Sequence, residues 1–226
     1  MRITQPDRWP RTADEARAIQ DELRPLVVAT DPEPPRFGTV AGLDSAYDDE
    51  AGVVAAAAVV LDADTLGTVE SEVAHGTVEF PYVPGLLAFR EVPTALRVLE
   101  RLDTEPDLLV CDGQGLAHPR RFGLACHLGV LAGLPTIGVA KNAWGEYTAP
   151  GPERGDSSNL VLEGEVVGRA LRTRAGVKPV FVSVGHLISL DTACAQVLAL
   201  TPHYRQPETT RRADALCRSA LRAALD

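Results

Sequence analysis

The 226-residue chain fits one large domain or two small ones, and its 45% apolar content can build a sizeable core. A net charge of −9 argues against a protein that coats nucleic acid indiscriminately, because such binding relies on neutralising phosphates. No run approaches the roughly 20 uncharged apolar residues of a membrane helix, and the N-terminus lacks the apolar core of a signal peptide, so we expect a cytoplasmic protein.

The charge is unevenly divided along the chain. Residues 1–110 hold 9 basic and 21 acidic side chains, whereas residues 111–226 hold 13 and 10. The basic residues of the second half gather in three clusters: Arg120-Arg121; Arg169, Arg172, Arg174 and Lys178; and Arg211-Arg212. Each cluster alone is typical of a solvated face, but three in one half also suit a local polyanion-binding face.

The first elements are a helix and three strands. Thr12 and Glu15 have the spacing of a capping box, and the apolar residues that follow recur at helical spacing, which predicts a helix of about a dozen residues. Extended patterns then cover residues 39–44, 53–61 and 66–73. Three strands with short turns predict an antiparallel meander.

A proline-bracketed segment, Pro81 to Gly85, comes next and is followed by a short helical stretch that ends at Glu91. Pro93 suits the first turn of a second helix, which we expect to run to Leu102. Glu91 is therefore predicted to lie at a break between two helical pieces.

Strand, helix and strand then follow at the spacing of a βαβ unit. A buried strand over residues 107–111 leads into a tight turn, Asp112-Gly113-Gln114-Gly115. A helix over 122–132 and a second buried strand over 136–140, ending at Lys141, complete a parallel pair. Further elements are a loop at 142–158, strands near 160–162, 166–172 and 179–184, and helices near 189–200 and 208–225. No linker is evident, so residues 1–226 are expected to form one α/β domain.

Three carboxylates stand out by position. Asp44 and Asp112 are predicted at strand ends and Glu91 at a helix break, and like charges brought together there need a cation or a proton. Hard oxygen ligands suit Mg²⁺ or Mn²⁺ rather than zinc. The alternative is that each acid only caps a turn or a helix.

Basic residues follow the glycine turn. His118 occupies the place of the third glycine of a dinucleotide fingerprint, so that interpretation fails. His118, Arg120 and Arg121 precede a helix, where positive charge and free N–H groups can hold a phosphate, and Lys141 ends the neighbouring strand. The alternative is an exposed basic turn. All four cysteines are predicted to fill the core.

Several blocks, in this order, resemble the endonuclease V family over about residues 13–216. They are Val40 to Tyr47 (VAGLDSAY), Pro81 to Glu91 (PYVPGLLAFRE), Asp112 to Arg121 (DGQGLAHPRR), Thr136 to Lys141 (TIGVAK), and Gly185-His186 with Ser189-Leu190. The resemblance implies a ribonuclease H-like fold, with a mixed central sheet flanked by helices.

The resemblance also implies a DNA-repair reaction: Mg²⁺-dependent hydrolysis of the second phosphodiester bond 3′ to deoxyinosine, leaving 3′-hydroxyl and 5′-phosphate ends. Mn²⁺ is the expected substitute metal. By the same analogy the metal ligands are Asp44, Glu91, Asp112 and Asp214. Lys141 would stabilise charge at the scissile phosphate, and His118 would position the backbone nearby.

Tyr82 resembles the wedge that the family inserts at the lesion while the flipped base enters a pocket. A rigid loop loses little entropy on binding, and an aromatic ring replaces the stacking of the extruded base. The nucleic-acid contacts implied by the resemblance are Tyr82, Pro84, Gly85, Gly113, Gln114, His118, Arg120 and Lys141. Gln114 is a departure, because many family members have histidine or asparagine there.

Two other classes remain open alternatives. One is another ribonuclease H-like, structure-specific nuclease, which would not require the Pro81 to Gly85 segment. The other is an inosine-lesion-binding protein without catalysis. The residues leave open whether inosine in DNA or in RNA is preferred. We expect a monomer with no membrane partner.

Overall fold

The computed structural model describes residues 3–6, 8–33 and 35–225, which contain nine strands, five α-helices and one 3₁₀ turn. The strands are β1 (Thr39–Asp48), β2 (Val53–Asp62), β3 (Thr68–Thr77), β4 (Leu108–Cys111), β5 (Thr136–Ala140), β6 (Glu146–Tyr147), β7 (Ser157–Leu162), β8 (Glu165–Leu171) and β9 (Val180–His186). The helices are α1 (Ala13–Leu23), α2 (Ala88–Leu99), α3 (Leu124–Ala132), α4 (Leu190–Ala199) and α5 (Glu208–Leu225). The 3₁₀ turn, Arg24–Leu26, follows α1.

All nine described strands lie in one sheet, in the order β3-β2-β1-β4-β5-β9-β8-β7-β6. The meander β1-β2-β3 is antiparallel, and β4 is parallel to both β1 and β5. The remaining neighbours, β5 with β9, β9 with β8, β8 with β7 and β7 with β6, pair in antiparallel fashion. The predicted meander and the βαβ unit formed by β4, α3 and β5 are both present. The ribonuclease H-like α/β class, a mixed sheet flanked by helices, is confirmed.

Helices cover both faces of the sheet. On one face, Ala41 and Leu43 of β1 join a core cluster with α2 and α3. On the other face, Val40 joins a cluster that includes the buried side of α4, and α5 packs across β1 and β2. This in-and-out alternation along β1 means that the central strands are buried on both sides.

The N-terminal helix has the predicted capping box. The Thr12 hydroxyl accepts a hydrogen bond from the backbone N–H of Glu15, whose carboxylate accepts one from the N–H of Thr12. The helix therefore begins at Ala13, as the sequence pattern indicated.

The predicted helix break at Pro93 is wrong. One continuous helix, α2, runs through Pro93 and ends at Leu99, so Glu91 lies inside its first turns. Proline removes the hydrogen bond to the carbonyl four residues earlier, and its ring crowds that carbonyl, at a cost of about 3 kcal/mol. The apolar side of α2, including Val92, Ala95 and Leu96, is fully buried, and this packing outweighs the loss.

Two smaller boundaries also differ. The first strand continues past Asp44 to Asp48, because it pairs with β2 over its whole length. The loop predicted at 142–158 contains the short strand β6, which pairs with β7 at the edge of the sheet. All four cysteines are buried and free, as predicted for core residues. None of the described helices is both long and apolar enough to span a bilayer.

Candidate active site

Asp44 and Asp112 lie side by side because of strand register. Leu43 is the last β1 residue paired with β4, opposite Cys111, so the next residue of each strand is an aspartate. The backbone N–H of Asp112 donates to the carbonyl of Leu43 (3.4 Å). The sequence predicted Asp44 at the end of a strand, but the strand continues to Asp48. Asp44 instead lies where the parallel pairing of β1 with β4 ends, and this position still brings the two acids together.

Asp214 joins them from α5, across the other face of the sheet. Gly42 makes this possible, because a Cβ there would overlap the backbone of Thr209. The helix therefore passes directly over β1, and the charge of Asp214 contributes to the raised pKa of Asp44. Asp214 is half-buried, and Arg218 forms an ion pair with it by donating a hydrogen bond (2.8 Å).

Glu91 completes the set from α2 and is only 6% exposed. Burial and the charges of Asp44 and Asp112 raise the pKa of Glu91 to about 8. Burial and the charges of Asp112 and Asp214 likewise raise the pKa of Asp44 to about 7. The four acids, Asp44, Glu91, Asp112 and Asp214, form what we call the acidic cluster. Their mutual repulsion is the electrostatic signature of a site built for positive charge.

Lys141 provides part of that charge. Its Nζ donates to Asp112 Oδ2 at 2.5 Å, and Gln206 approaches the same oxygen at 3.5 Å. Burial alone would lower the pKa of Lys141, but the hydrogen bond and the nearby acids outweigh it and raise the pKa. The end of β5 thus places a permanent cation next to the acid at the end of β4.

The acidic cluster fits a divalent cation by its donor chemistry. Buried carboxylates that repel one another are the oxygen ligands that Mg²⁺ and Mn²⁺ prefer. Within residues 3–6, 8–33 and 35–225, however, no three acidic, histidine or cysteine side chains are already grouped as a metal site. Asp112 is held by Lys141, and Asp44 Oδ1 accepts from the N–H of Ser45 (2.8 Å).

The turn after β4 is fixed by close backbone packing. A Cβ on Gly115 would overlap the carbonyl of Val184, and one on Gly138 would overlap the backbone of the turn itself. Ser183 Oγ also accepts a hydrogen bond from the N–H of Gly115 (2.8 Å). These contacts hold the turn that carries Asp112 between its neighbouring strands.

Gln114 is the one long side chain in this turn. Its Nε2 donates to the carbonyl of Asn142 (2.8 Å), which ties the turn to the loop after Lys141. Its Oε1 is buried without a hydrogen-bond partner. Gly113 lies beside it, with Leu124 filling the space where a Cβ would point.

The proline-bracketed segment, Pro81 to Gly85, stands out from the surface between two buried anchors. Phe80 and Leu86 are 3% and 2% exposed, whereas Tyr82 is 64% exposed. The N–H of Leu86 donates to the carbonyl of Val83 (2.9 Å), and Gly85 has φ +80°, which a turn with Pro84 before it requires. We call Pro81–Gly85 the wedge segment.

Gln20 and His118 hold the base of the wedge segment. Gln20 Nε2 donates to the carbonyls of Gly85 and Phe122, both at 3.1 Å. His118 is buried, its Nε2 lies next to Gly85, and burial lowers its pKa to about 4, so it is neutral. The sequence pattern assigned His118 to the phosphate backbone, and its observed contacts are with this segment.

Trp144 is a residue that sequence reasoning missed. It follows Lys141 by three positions, is 50% exposed, and its ring lies 6.4 Å from that of His118, edge to face. An exposed tryptophan inside a predicted loop was the available signal. Tyr82 and Trp144 thus lie on segments that meet at His118.

Most residues of the basic clusters form ion pairs or hydrogen bonds within the protein. Arg120 pairs with Asp21 on α1 at 2.6 Å, Arg169 pairs with Asp191 at 2.8 Å, and Arg172 donates to backbone carbonyls. The remaining contacts are Arg121 with Glu163 and Glu165, and Arg211 and Arg212 with Glu208. These internal partners weigh against the polyanion-binding face that the sequence clusters suggested.

A mixed sheet of this order, with acids from β1, β4, α2 and α5 close to its central parallel strands, is an α/β fold of the ribonuclease H-like class. The family model for endonuclease V matches residues 21–215. The chain belongs to the endonuclease V family.

Individual relatives agree with this family. An endonuclease V of Nocardia farcinica is 74% identical over 95% of each chain. The crystal structure of the Streptomyces avermitilis endonuclease V has 61% identity and a TM-score of 0.93, with both chains fully covered. A third structure, of Ciona intestinalis endonuclease V in complex with a 24mer DNA containing an inosine followed by a ribo-adenosine, has 30% identity and a TM-score of 0.82, covering 93% of this chain and 98% of that one.

Proposed function

We propose that this enzyme nicks DNA at the second phosphodiester bond 3′ to deoxyinosine, with Mg²⁺ as cofactor and 3′-hydroxyl and 5′-phosphate products. The observation that carries the proposal is the acidic cluster, which is paired with Lys141 and whose member Glu91 lies on the helix that follows the exposed wedge segment. The inosine-containing DNA bound by the Ciona relative supports the choice of substrate.

The chain's own residues suit phosphate hydrolysis. Bound Mg²⁺, which we assign to Asp44, Glu91, Asp112 and Asp214, would polarise the scissile phosphate and lower the pKa of an attacking water. Lys141 brings a cation to the same edge of the sheet, where it can stabilise charge that develops on the phosphate.

Recognition of the lesion is assigned to the wedge segment. Tyr82 lies between Pro81 and Pro84, whose rings fix the backbone φ, so little entropy is lost when the exposed Tyr82 ring replaces an extruded base. Trp144 offers a second exposed aromatic surface beyond His118. Aromatic side chains stack on bases of any sequence, so the two rings suit an unstacked strand.

The direct test uses an end-labelled duplex with one central deoxyinosine, incubated with and without Mg²⁺, beside an inosine-free duplex. We expect a single Mg²⁺-dependent nick at the second bond 3′ to the lesion. Asp112→Asn should lower the rate at least about a hundredfold, because it removes charge from the centre of the site. Asp64→Asn, an exposed aspartate in the β2–β3 turn, is the matched control and should nick normally.

Three results would change the proposal. Cutting only of the matching inosine-containing RNA would keep the family and change the substrate. Cutting at junctions or flaps without inosine would favour a structure-specific nuclease. Tight inosine binding with no strand cleavage in any metal would leave a lesion-binding protein.

A further inference from the structure

A cleft of about 1040 Å³ lies between the N-terminal segment, the end of β3 and α2. Four arginines line it: Arg8, Arg11, Arg90 and Arg97. Glu15 and Glu79 are its acidic lining residues. Glu15 already accepts hydrogen bonds from the N–H groups of Arg11 and Thr12. We call this site the arginine cleft.

The walls of the arginine cleft are built into the fold. Gln5 donates to Glu100 beyond the end of α2 (2.7 Å), and Trp9 packs near the rings of α2 and α3, 6.3 Å from His127. Arg90 is 4% exposed, is paired with Asp49 and stacks over Tyr47 at 4.7 Å. The Nε of Arg90 is buried without a hydrogen-bond partner, so this guanidinium keeps an unused donor.

The arginine cleft opens at the same end of the sheet as the acidic cluster. Thr77, at its edge, is aligned with Val53, which is aligned with Asp48 at the far end of β1, beyond Asp44. Helix α2 connects the two sites, because Arg90 lines the cleft and the next residue, Glu91, belongs to the acidic cluster.

The wedge segment runs from the arginine cleft to His118. Phe80, the residue before it, lines the arginine cleft, and Gly85, its last residue, lies against His118. A strand parted by Tyr82 would therefore have the three exposed guanidinium groups of Arg8, Arg11 and Arg97 on the Phe80 side of the segment, with the buried Arg90 behind them. Guanidinium groups bind phosphates with two parallel hydrogen bonds, and an array of them follows a polyanionic backbone.

We infer that the arginine cleft binds phosphates of the nucleic-acid backbone that flanks the wedge segment. This inference rests on the proposed function, since it assigns a second contact to the same substrate. It also explains how a protein with a net charge of −9 holds a polyanion. Three exposed arginines share one cleft, whereas Arg120, Arg169 and Arg211 of the second half form ion pairs within the protein.

The test compares two double variants. Arg11→Ala with Arg97→Ala removes two exposed guanidinium groups from the cleft, and Arg24→Ala with Arg222→Ala removes two exposed arginines that do not line it. Binding of labelled duplexes, with and without inosine, is measured in EDTA between about 50 and 200 mM salt. Thermal melting confirms that both variants fold.

We expect the cleft variant to bind both duplexes about tenfold more weakly at the low-salt end. Its slope of log affinity against log salt should fall by roughly 0.9 for each phosphate that is no longer neutralised. The control pair should keep the slope of the wild type. Equal slopes in the two variants would overturn the inference, as would weaker binding of inorganic phosphate with no change in DNA binding.

The two proposals fail separately. If the wild type binds DNA through the cleft but never nicks inosine duplexes, the nuclease proposal falls and the cleft stands. If nicking is normal and the cleft variant binds like the control, only the cleft assignment falls.

Discussion

Asp44 and Glu91 make the stability of the metal-free protein depend on pH. Their pKa values are raised to about 7 and about 8 by burial and mutual repulsion. Each folded carboxyl therefore binds its proton more tightly than in the unfolded chain, where the pKa is about 4. The resulting stability is full below about pH 4 and is lost as the pH rises through 7 and 8.

We expect the melting temperature in EDTA to fall as the pH is raised from about 5.5 to 8.5. Asp44→Asn should flatten this decline and raise the melting temperature at the alkaline end, because the repulsion is gone. Asp64→Asn serves as the control and should follow the wild type. Added Mg²⁺ should stabilise the wild type at high pH more than Asp44→Asn. If both variants decline in parallel with the wild type, Asp44 is not the responsible group.

Trp144 gives a direct optical report on substrate contact, since the chain has two tryptophans, Trp9 and Trp144. In a Trp9→Phe background, we expect an inosine oligonucleotide to quench the fluorescence of Trp144. Trp144→Ala should weaken binding roughly 5- to 100-fold, the range expected when one base stack is removed, and Trp144→Phe should retain most of it. Unchanged fluorescence on binding would remove Trp144 from the interface.

At the residue scale, the sequence predicted those site residues that directly follow a recognisable strand. Asp112 was predictable because a buried apolar strand leads straight into an acid and a glycine turn. Only the family resemblance predicted that Asp214 lies near Asp44. Their proximity depends on α5 crossing β1 at Gly42, and Gly42 precedes Asp214 by 172 residues in the chain. The packing of Trp144 near His118 follows from no pattern in the sequence at all.

At the element scale, the wedge segment should matter most when two strands must be separated. Tyr82→Ala is expected to lower the catalytic efficiency on duplex inosine DNA roughly tenfold, since about one base stack is removed. The effect on single-stranded inosine DNA should be smaller, because no strand separation is needed. Tyr82→Phe, which keeps the ring, is the control. Equal effects on both substrates would argue that Tyr82 touches the base without parting strands.

Helix α2 shows why element boundaries escape local reasoning. Proline is a strong local signal for a helix end, and it was overridden by burial of nearly the whole helix between β2, β3 and α3. Strand β1 shows the same effect, since pairing with β2 extends it by four residues beyond the predicted end. The two-residue strand β6 is too short for any periodicity. Contacts with distant parts of the chain determined the boundaries of all three elements.

On the scale of the whole molecule, the single nine-stranded sheet in the described residues bears on how the protein unfolds. Helices on both faces pack onto shared strands, so no part can lose its core without exposing another. We expect one cooperative unfolding transition, with equal calorimetric and van't Hoff enthalpies, as for a single domain. Two resolved transitions would contradict the one-domain prediction. Gel filtration of the same sample tests the expected monomer.

The packed glycine turn beside Asp112 limits how this enzyme can be redesigned. Gly115 and Gly138 have no room for even a methyl group, so substitutions there would displace the turn instead of adding a useful side chain. Gln114 is different, since its side chain spans to Asn142 and keeps an unpaired oxygen. A library aimed at new base preferences should therefore vary Gln114 together with the loop that it holds, and leave the glycines unchanged.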